Sequence, residues 1–246
     1  LAVGFVGGSF GPLLGVGGGL IIVPGLLLFT TLEFRGAVAT SLVCVVATSV
    51  AGSIVFLRRG TTDVHLATTL QFFTAGGAVA ASLVAPYVPL AVLHFALVAL
   101  LLAISYKMWS RPVTEHHDEL PLDSRVRHKA AAASLGAGAI AGMFGVGGGV
   151  LNVPVLHLLL QRSFDRAAAT SMYMVGITAA AGAMIYTVRG DLPLDSVGVT
   201  MLGALLGARL SALGRSRVDR RGLKILFILL LLYTAYRMGA RGIAQF

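Results

Sequence analysis

Two five-residue runs, Gly15-Val16-Gly17-Gly18-Gly19 and Gly145-Val146-Gly147-Gly148-Gly149, are the part of this sequence best equipped for chemistry. Glycine runs let consecutive backbone N–H groups converge, and the missing side chains let an anion come close. A half-helix starting just after the run adds the positive end of its dipole. Hydroxyls recur at Thr40-Ser41 and Thr170-Ser171, and they offer neutral donors without the cost of a buried charge. Such a set would bind a small oxyanion without a fixed cation. Tight packing of small residues between helices explains the same glycines equally well. A dinucleotide-binding loop would need a preceding strand and a soluble crossover unit.

Other chemistries are poorly supplied. All ten acidic residues lie at segment ends or in loops, which argues against cation transport and carboxylate proton relays. His116-His117 is adjacent in a polar stretch, while His94 and His157 stand alone in apolar runs and read as packing histidines, so neither a metal site nor a cofactor is expected. Ser41 and Ser171 have no histidine or carboxylate close in sequence, so no enzyme is expected. Asn152 stands where the first run is followed by Ile22, as a substrate donor or as a partner for a broken-helix carbonyl. Tyr173 replaces Val43 and either lines the same cavity or packs. Gln71 and Thr74 face that cavity or bond between helices. Arg209 is the one fixed charge inside a central apolar segment, and three roles stay open for it: snorkelling to the interface, capping broken-helix carbonyls, or attracting the anion.

The elements that must carry these residues are membrane helices. Of the 246 residues, 57% are hydrophobic and only 12% charged, and the mean hydropathy is +0.88. Soluble domains carry about 25% charged residues, so a soluble enzyme or nucleic-acid binder is excluded. The net charge of +9 then reflects basic cytoplasmic loops. One cysteine, Cys44, precludes an internal disulfide. Charge-free windows run over 1–32, 36–57, 66–106, 130–161 and 167–188, with weaker segments at 196–214 and 225–236. The opening window is too long for a secretory signal and has no basic leader, so it is expected to be mature structure. No strand alternation appears, and the expected fold is an all-α polytopic membrane protein.

The chain also repeats itself. A shift of 130 positions superimposes the two glycine runs, Val23-Pro24 on Val153-Pro154, and Ala39-Thr40-Ser41 on Ala169-Thr170-Ser171. Twenty of 46 gapless positions from Gly15 to Gly60 are identical under that shift. The expected organisation is a first transmembrane repeat over 1–109, a cytoplasmic linker over 110–129 and a second repeat over 130–246. Each 32-residue window is about 48 Å if helical, long for one span of a core about 30 Å thick and short for two. A helical hairpin or discontinuous helix broken at the glycines fits better, followed by three spanning helices. If each window re-enters, the repeats are inverted and Lys plus Arg divide fourteen to four between the two faces; if each crosses once, ten to eight. The stronger bias favours inverted repeats, a cytoplasmic linker and termini outside.

The glycine run, the Val-Pro step and the Ala-x-Ala-Thr-Ser segment together resemble the TauE/SafE sulfite exporter family, as does the late motif from Gly203 to Arg209. The first half departs from that motif, with Val79 in place of Arg209. The resemblance implies a secondary carrier in the inner membrane for small sulfur-containing anions such as sulfite, thiosulfate or organosulfonates, with an anion channel as the alternative. The expected site residues are Gly15, Gly17, Gly18, Gly19, Thr40, Ser41, Gly145, Gly147, Gly148, Gly149, Asn152, Thr170, Ser171, Tyr173 and Arg209. The expected partners are a small sulfur oxyanion or sulfonate and the lipid bilayer, with a homodimer left open and nucleic acid excluded.

Overall fold

The computed structural model describes residues 1–110 and 124–214, together with Leu229, Leu232, Tyr233 and Tyr236. The expected linker lies outside the described residues over 111–123, and so does the basic run from Arg215 to Lys224. Residues 124–129, the end of the expected linker, form the first turns of a helix. Among the described residues every regular element is helical. In chain order these are α1 (Ala2–Leu14), α2 (Gly19–Phe29), α3 (Phe34–Arg58), α4 (Val64–Val84), α5 (Leu90–Ser110), α6 (Ser124–Phe144), α7 (Gly149–Pro154), α8 (Phe164–Val188) and α9 (Leu194–Gly214). Four described helices are long and apolar enough to cross a membrane: Phe34–Arg58, Val64–Tyr87, Phe164–Val188 and Leu194–Leu213.

The glycine runs break the chain where the sequence placed them. α1 stops at Gly15 (φ 71°) and α2 starts after Gly18 (φ 85°), left-handed backbone that side-chain-bearing residues resist. The chain then turns back on itself. A Cβ built on Gly25, near the end of α2, would lie 2.6 Å from Val3 Cγ1 at the start of α1, and one on Gly11 would lie 2.9 Å from the Gly17 carbonyl carbon. α1 and α2 are therefore an antiparallel hairpin of half-length helices, about 20 and 17 Å long. In the second half, Val153, Val155 and Leu156 of the returning arm cluster with Ala130 and Ala133 of α6. That arm is α7 followed by a π-helical turn over Val155–Leu159, closed by the Leu160 N–H donating to Val155 O at 3.2 Å. Pro154 ends the regular α7 segment, and with no N–H of its own it cannot continue the ladder.

The long helices cross in a fixed sense. On the α3–α8 interface Leu42 meets Gly182, Ser49 meets Gly176, and Phe56 clusters with Ala169. As one chain number rises the other falls, so these two sequence-equivalent helices run antiparallel. Elsewhere the halves interlock: α1 lies on α9 and α6 on α4. Gly4 is against Thr200 and Gly8 against Ala204, while Gly138 is against Thr74 and Gly142 against Ala78. Both pairs run parallel, and glycine is needed there because the facing backbone occupies the space of a Cβ. Outward faces are apolar, as at Phe72 (72% exposed) and Leu210 (62% exposed). Such surface suits lipid.

Candidate functional site

The two glycine loops meet. Ser41 Oγ donates to Gly145 O at 2.7 Å, and Ser171 Oγ donates to Gly15 O at 2.9 Å. Each bond is the other shifted by 130 positions, so the repeat seen in the sequence reappears in these two contacts. The glycines follow the same pattern. A Cβ on Gly19 would strike Gly145 O and lie 2.9 Å from Val146 Cα; one on Gly149 would lie 2.6 Å from Gly15 O and Val16 Cα. Gly17 and Gly147 both rest on Val45 and Val175. No larger residue fits at this junction.

Each loop has N–H groups with no backbone partner among the described residues. Val16 N–H donates to Gly11 O, and the N–H groups of Ile21 and Ile22 donate to Gly18 O; those of Gly17 and Gly18 find no backbone carbonyl among the described residues. In the second loop the N–H groups of Leu151 and Asn152 turn to Gly148 O, while those from Val146 to Val150 find no backbone carbonyl among the described residues. Open N–H groups at a helix start are what an anion requires. The 11-residue α2 carries a helix dipole behind its loop, whereas α7 is six residues long.

The predicted hydroxyls divide by role. Ser41 and Ser171 hold loop carbonyls, as above. Thr170 Oγ1 accepts from the Asp63 N–H at 3.0 Å, beside an ion pair between Arg162 and Asp63 at 3.2 Å. Thr40 Oγ1 is buried without a partner. Asn152 is 1% exposed, and neither Oδ1 nor Nδ2 has a partner. Leaving buried polar atoms unpaired costs about 1–3 kcal/mol per group, which a fold tolerates when a ligand or water completes them. Tyr173 is half-buried and packs on the cluster containing Met174 and Leu156. Arg209 is exposed on α9, on the same outward face as Leu206, Leu210 and Leu213. His94 packs edge-on to Phe34 with ring centroids 5.0 Å apart, and His157 Nδ1 lies 2.8 Å from Arg162 O.

The structure adds Thr48 and Ser134, which the sequence reading passed over, and gives Gln71 and Thr74 definite surroundings. Thr48 Oγ1 donates to Gly17 O at 2.7 Å, but its repeat mate Thr178 donates to Thr74 Oγ1 at 2.9 Å. The mate of Thr74 is Ala204, so only one half has a hydroxyl that can draw this threonine off the loop. Ser134 Oγ on α6 and Gln71 Oε1 on α4 are also buried and unpaired. A comparison of the two repeats position by position carried the signal for them: their mates are Gly4 and Met201.

Comparison with known proteins identifies the family. The family model for Sulfite exporter TauE/SafE matches residues 1–238. The chain belongs to the TauE/SafE family. Members of that family are membrane transporters rather than enzymes, sulfite exporters at family level. A curated relative, the "Probable membrane transporter protein YunE" of Bacillus subtilis (strain 168), is 24% identical over 99% of this chain and 97% of its own length. No solved structure matches.

Proposed function

We propose that this TauE/SafE chain is a secondary carrier that exports small sulfur oxyanions, such as sulfite, thiosulfate or organosulfonates, across the inner membrane. The observation that carries the reading is the meeting of the two glycine loops, each with N–H groups that have no backbone partner among the described residues. Carriers commonly place a substrate between repeats, where broken helices offer backbone groups at mid-membrane depth. The donors are those of the first loop at Gly17, Gly18 and Gly19 and of the second at Gly147, Gly148 and Gly149, with Thr40 and Asn152 beside them. Ser41 and Ser171 position the loops by holding Gly145 O and Gly15 O.

The antiparallel crossing of α3 and α8 supports inverted repeats. Two sequence-equivalent spans that run in opposite directions enter a bilayer from opposite sides. The hairpins α1–α2 and α6–α7 then re-enter from opposite faces, and their tips touch at mid-depth. This arrangement leaves the 111–123 segment on the face with fourteen of the basic residues, the cytoplasmic one by the positive-inside rule. Alternating access follows if one repeat rocks against the other about the loops.

Counterflow tests the reading. Purified protein in proteoliposomes loaded with unlabelled sulfite, thiosulfate or methanesulfonate is expected to accumulate the labelled anion transiently. Downhill flux without accumulation identifies a channel. No response to any sulfur oxyanion overturns the reading.

A further inference from the structure

Gln71, Ser134 and Asn152 come from α4, α6 and α7, of which α6 packs on each of the other two, and they lie at about one depth. A Cβ on Gly148 would lie 3.3 Å from Ala137 O and 3.6 Å from Asn152 Nδ2, so the Asn152 amide lies along α6 near Ala137. Ser134 is one turn from Ala137 in the direction that α7 travels from Gly148 to Asn152. On α4, which runs parallel to α6, Thr74 lies against Gly138, and this sets Gln71 one turn earlier, level with Ser134. Ser134 is 0% and Asn152 1% exposed, and Gln71 Oε1, Ser134 Oγ and both Asn152 amide atoms have no partner. At the pseudo-equivalent place in the other half stand Met201, Gly4 and Ile22, which offer no side-chain hydrogen bond.

We infer that Gln71, Ser134 and Asn152 form a one-sided binding site that selects singly charged sulfur oxyanions, sulfonates or hydrogen sulfite, over doubly charged ones. The inference rests on the carrier reading above. Its specificity comes from the absence of fixed cations in the sequence around the site: α4, α7, the stretch 130–144 of α6 and the stretch 167–188 of α8 contain no Lys or Arg. The cost of stripping water from an ion grows with the square of its charge, and neutral donors repay it far better for a monoanion than for a dianion. The two amides also carry carbonyl oxygens, which can accept the one hydrogen of hydrogen sulfite. The apolar mate in the other half then serves packing, and the side-chain donors lie on one side of the loop junction.

The test uses the full chain, with the ligand-induced thermal shift and counterflow measured for methanesulfonate, thiosulfate and sulfite. Methanesulfonate is expected to bind at least tenfold more tightly than thiosulfate, and sulfite to weaken as pH rises and its monoanion ionises. Asn152→Leu, Ser134→Ala and Gln71→Met are each expected to weaken methanesulfonate at least tenfold while the ligand-free melting temperature holds or rises, since each removes an unpaired buried atom. Ile22→Val and Met201→Leu, the controls in the other half, are expected to stay within twofold of the parent. Should Asn152→Leu fail to fold, the Ser134 and Gln71 variants decide. A lower ligand-free melting temperature with undiminished binding overturns the inference, as does equal affinity for thiosulfate, while the carrier reading survives either result. A parent protein that answers to no sulfur oxyanion overturns the carrier reading instead.

Discussion

The backbone N–H of Asp63 donates to Thr170 Oγ1 at 3.0 Å. Shifted by 130 positions, the same relation would join residue 193 to Thr40, but residue 193 is a proline and has no N–H to give. Gly36, one turn before Thr40, lies beside the Pro193 ring at a Cβ distance of 3.7 Å, and Thr40 Oγ1 is left buried and unpaired. One substitution between the repeats thus turns a structural hydroxyl into an uncommitted one.

The two threonines are therefore expected to respond differently to valine. Thr170→Val strands the Asp63 N–H and is expected to cost about 1–3 kcal/mol, read as a lower melting temperature in detergent. Thr40→Val removes an atom that already lacks a partner, so stability is expected to hold or rise. A loss of counterflow in a fully stable Thr40→Val protein would assign that hydroxyl to the substrate. Equal destabilisation by both changes would contradict the geometry.

Alanine in the glycine loops separates packing from binding. A Cβ on Gly18 would collide with Gly7 O in the opposing arm, whereas one on Gly148 has 3.3 Å to Ala137 O, tight but close to ordinary contact. Both residues are left-handed, with φ of 85° and 76°, which costs an alanine about 1–2 kcal/mol. Gly18→Ala is expected to reduce the yield of folded protein several-fold in size-exclusion profiles. Gly148→Ala is expected to fold and to lose oxyanion affinity. Normal folding and binding in Gly18→Ala would argue against the close hairpin.

Topology is testable at equivalent helix ends. Arg58 and Val188 are exposed and related by the repeat shift. Single cysteines at these positions, in a Cys44→Ala background, are expected to react with a membrane-impermeant maleimide from opposite sides of the membrane. Labelling of both from one side would replace inverted repeats with parallel ones.

Arg209 offers a check on long-range electrostatics. Its side chain faces outward about 8 Å along α9 from Gly214, near enough for the guanidinium to snorkel to the interface. Both Arg209→Lys and Arg209→Gln are expected to leave folded yield and counterflow within about twofold. Selective failure of the glutamine variant would show instead that the charge serves the anion.

The sequence by itself determined the class and the grammar of this protein. Sparse charge and long apolar windows dictate helices in a membrane, because unpaired backbone is too costly in lipid. The glycine runs break their helices in left-handed backbone that other residues resist, and their recurrence at a constant shift is the sequence signal for two related halves. Tertiary structure alone decided what those groups touch. Ser41 and Ser171 looked like substrate donors, yet their hydroxyls close on the opposite loop's carbonyls; a bond between residues 104 positions apart has no local signature. Arg209 lies inside a candidate span, as its neighbours suggested, and helical phase puts it on the exposed face of α9 with Leu206, Leu210 and Leu213. Gln71 stood out in the chain as a polar residue in a charge-free span, whereas Ser134 did not, and nothing local joins the two. They reach one depth only because glycine lets α4 lie directly on α6, and their lack of partners exists only in that packing.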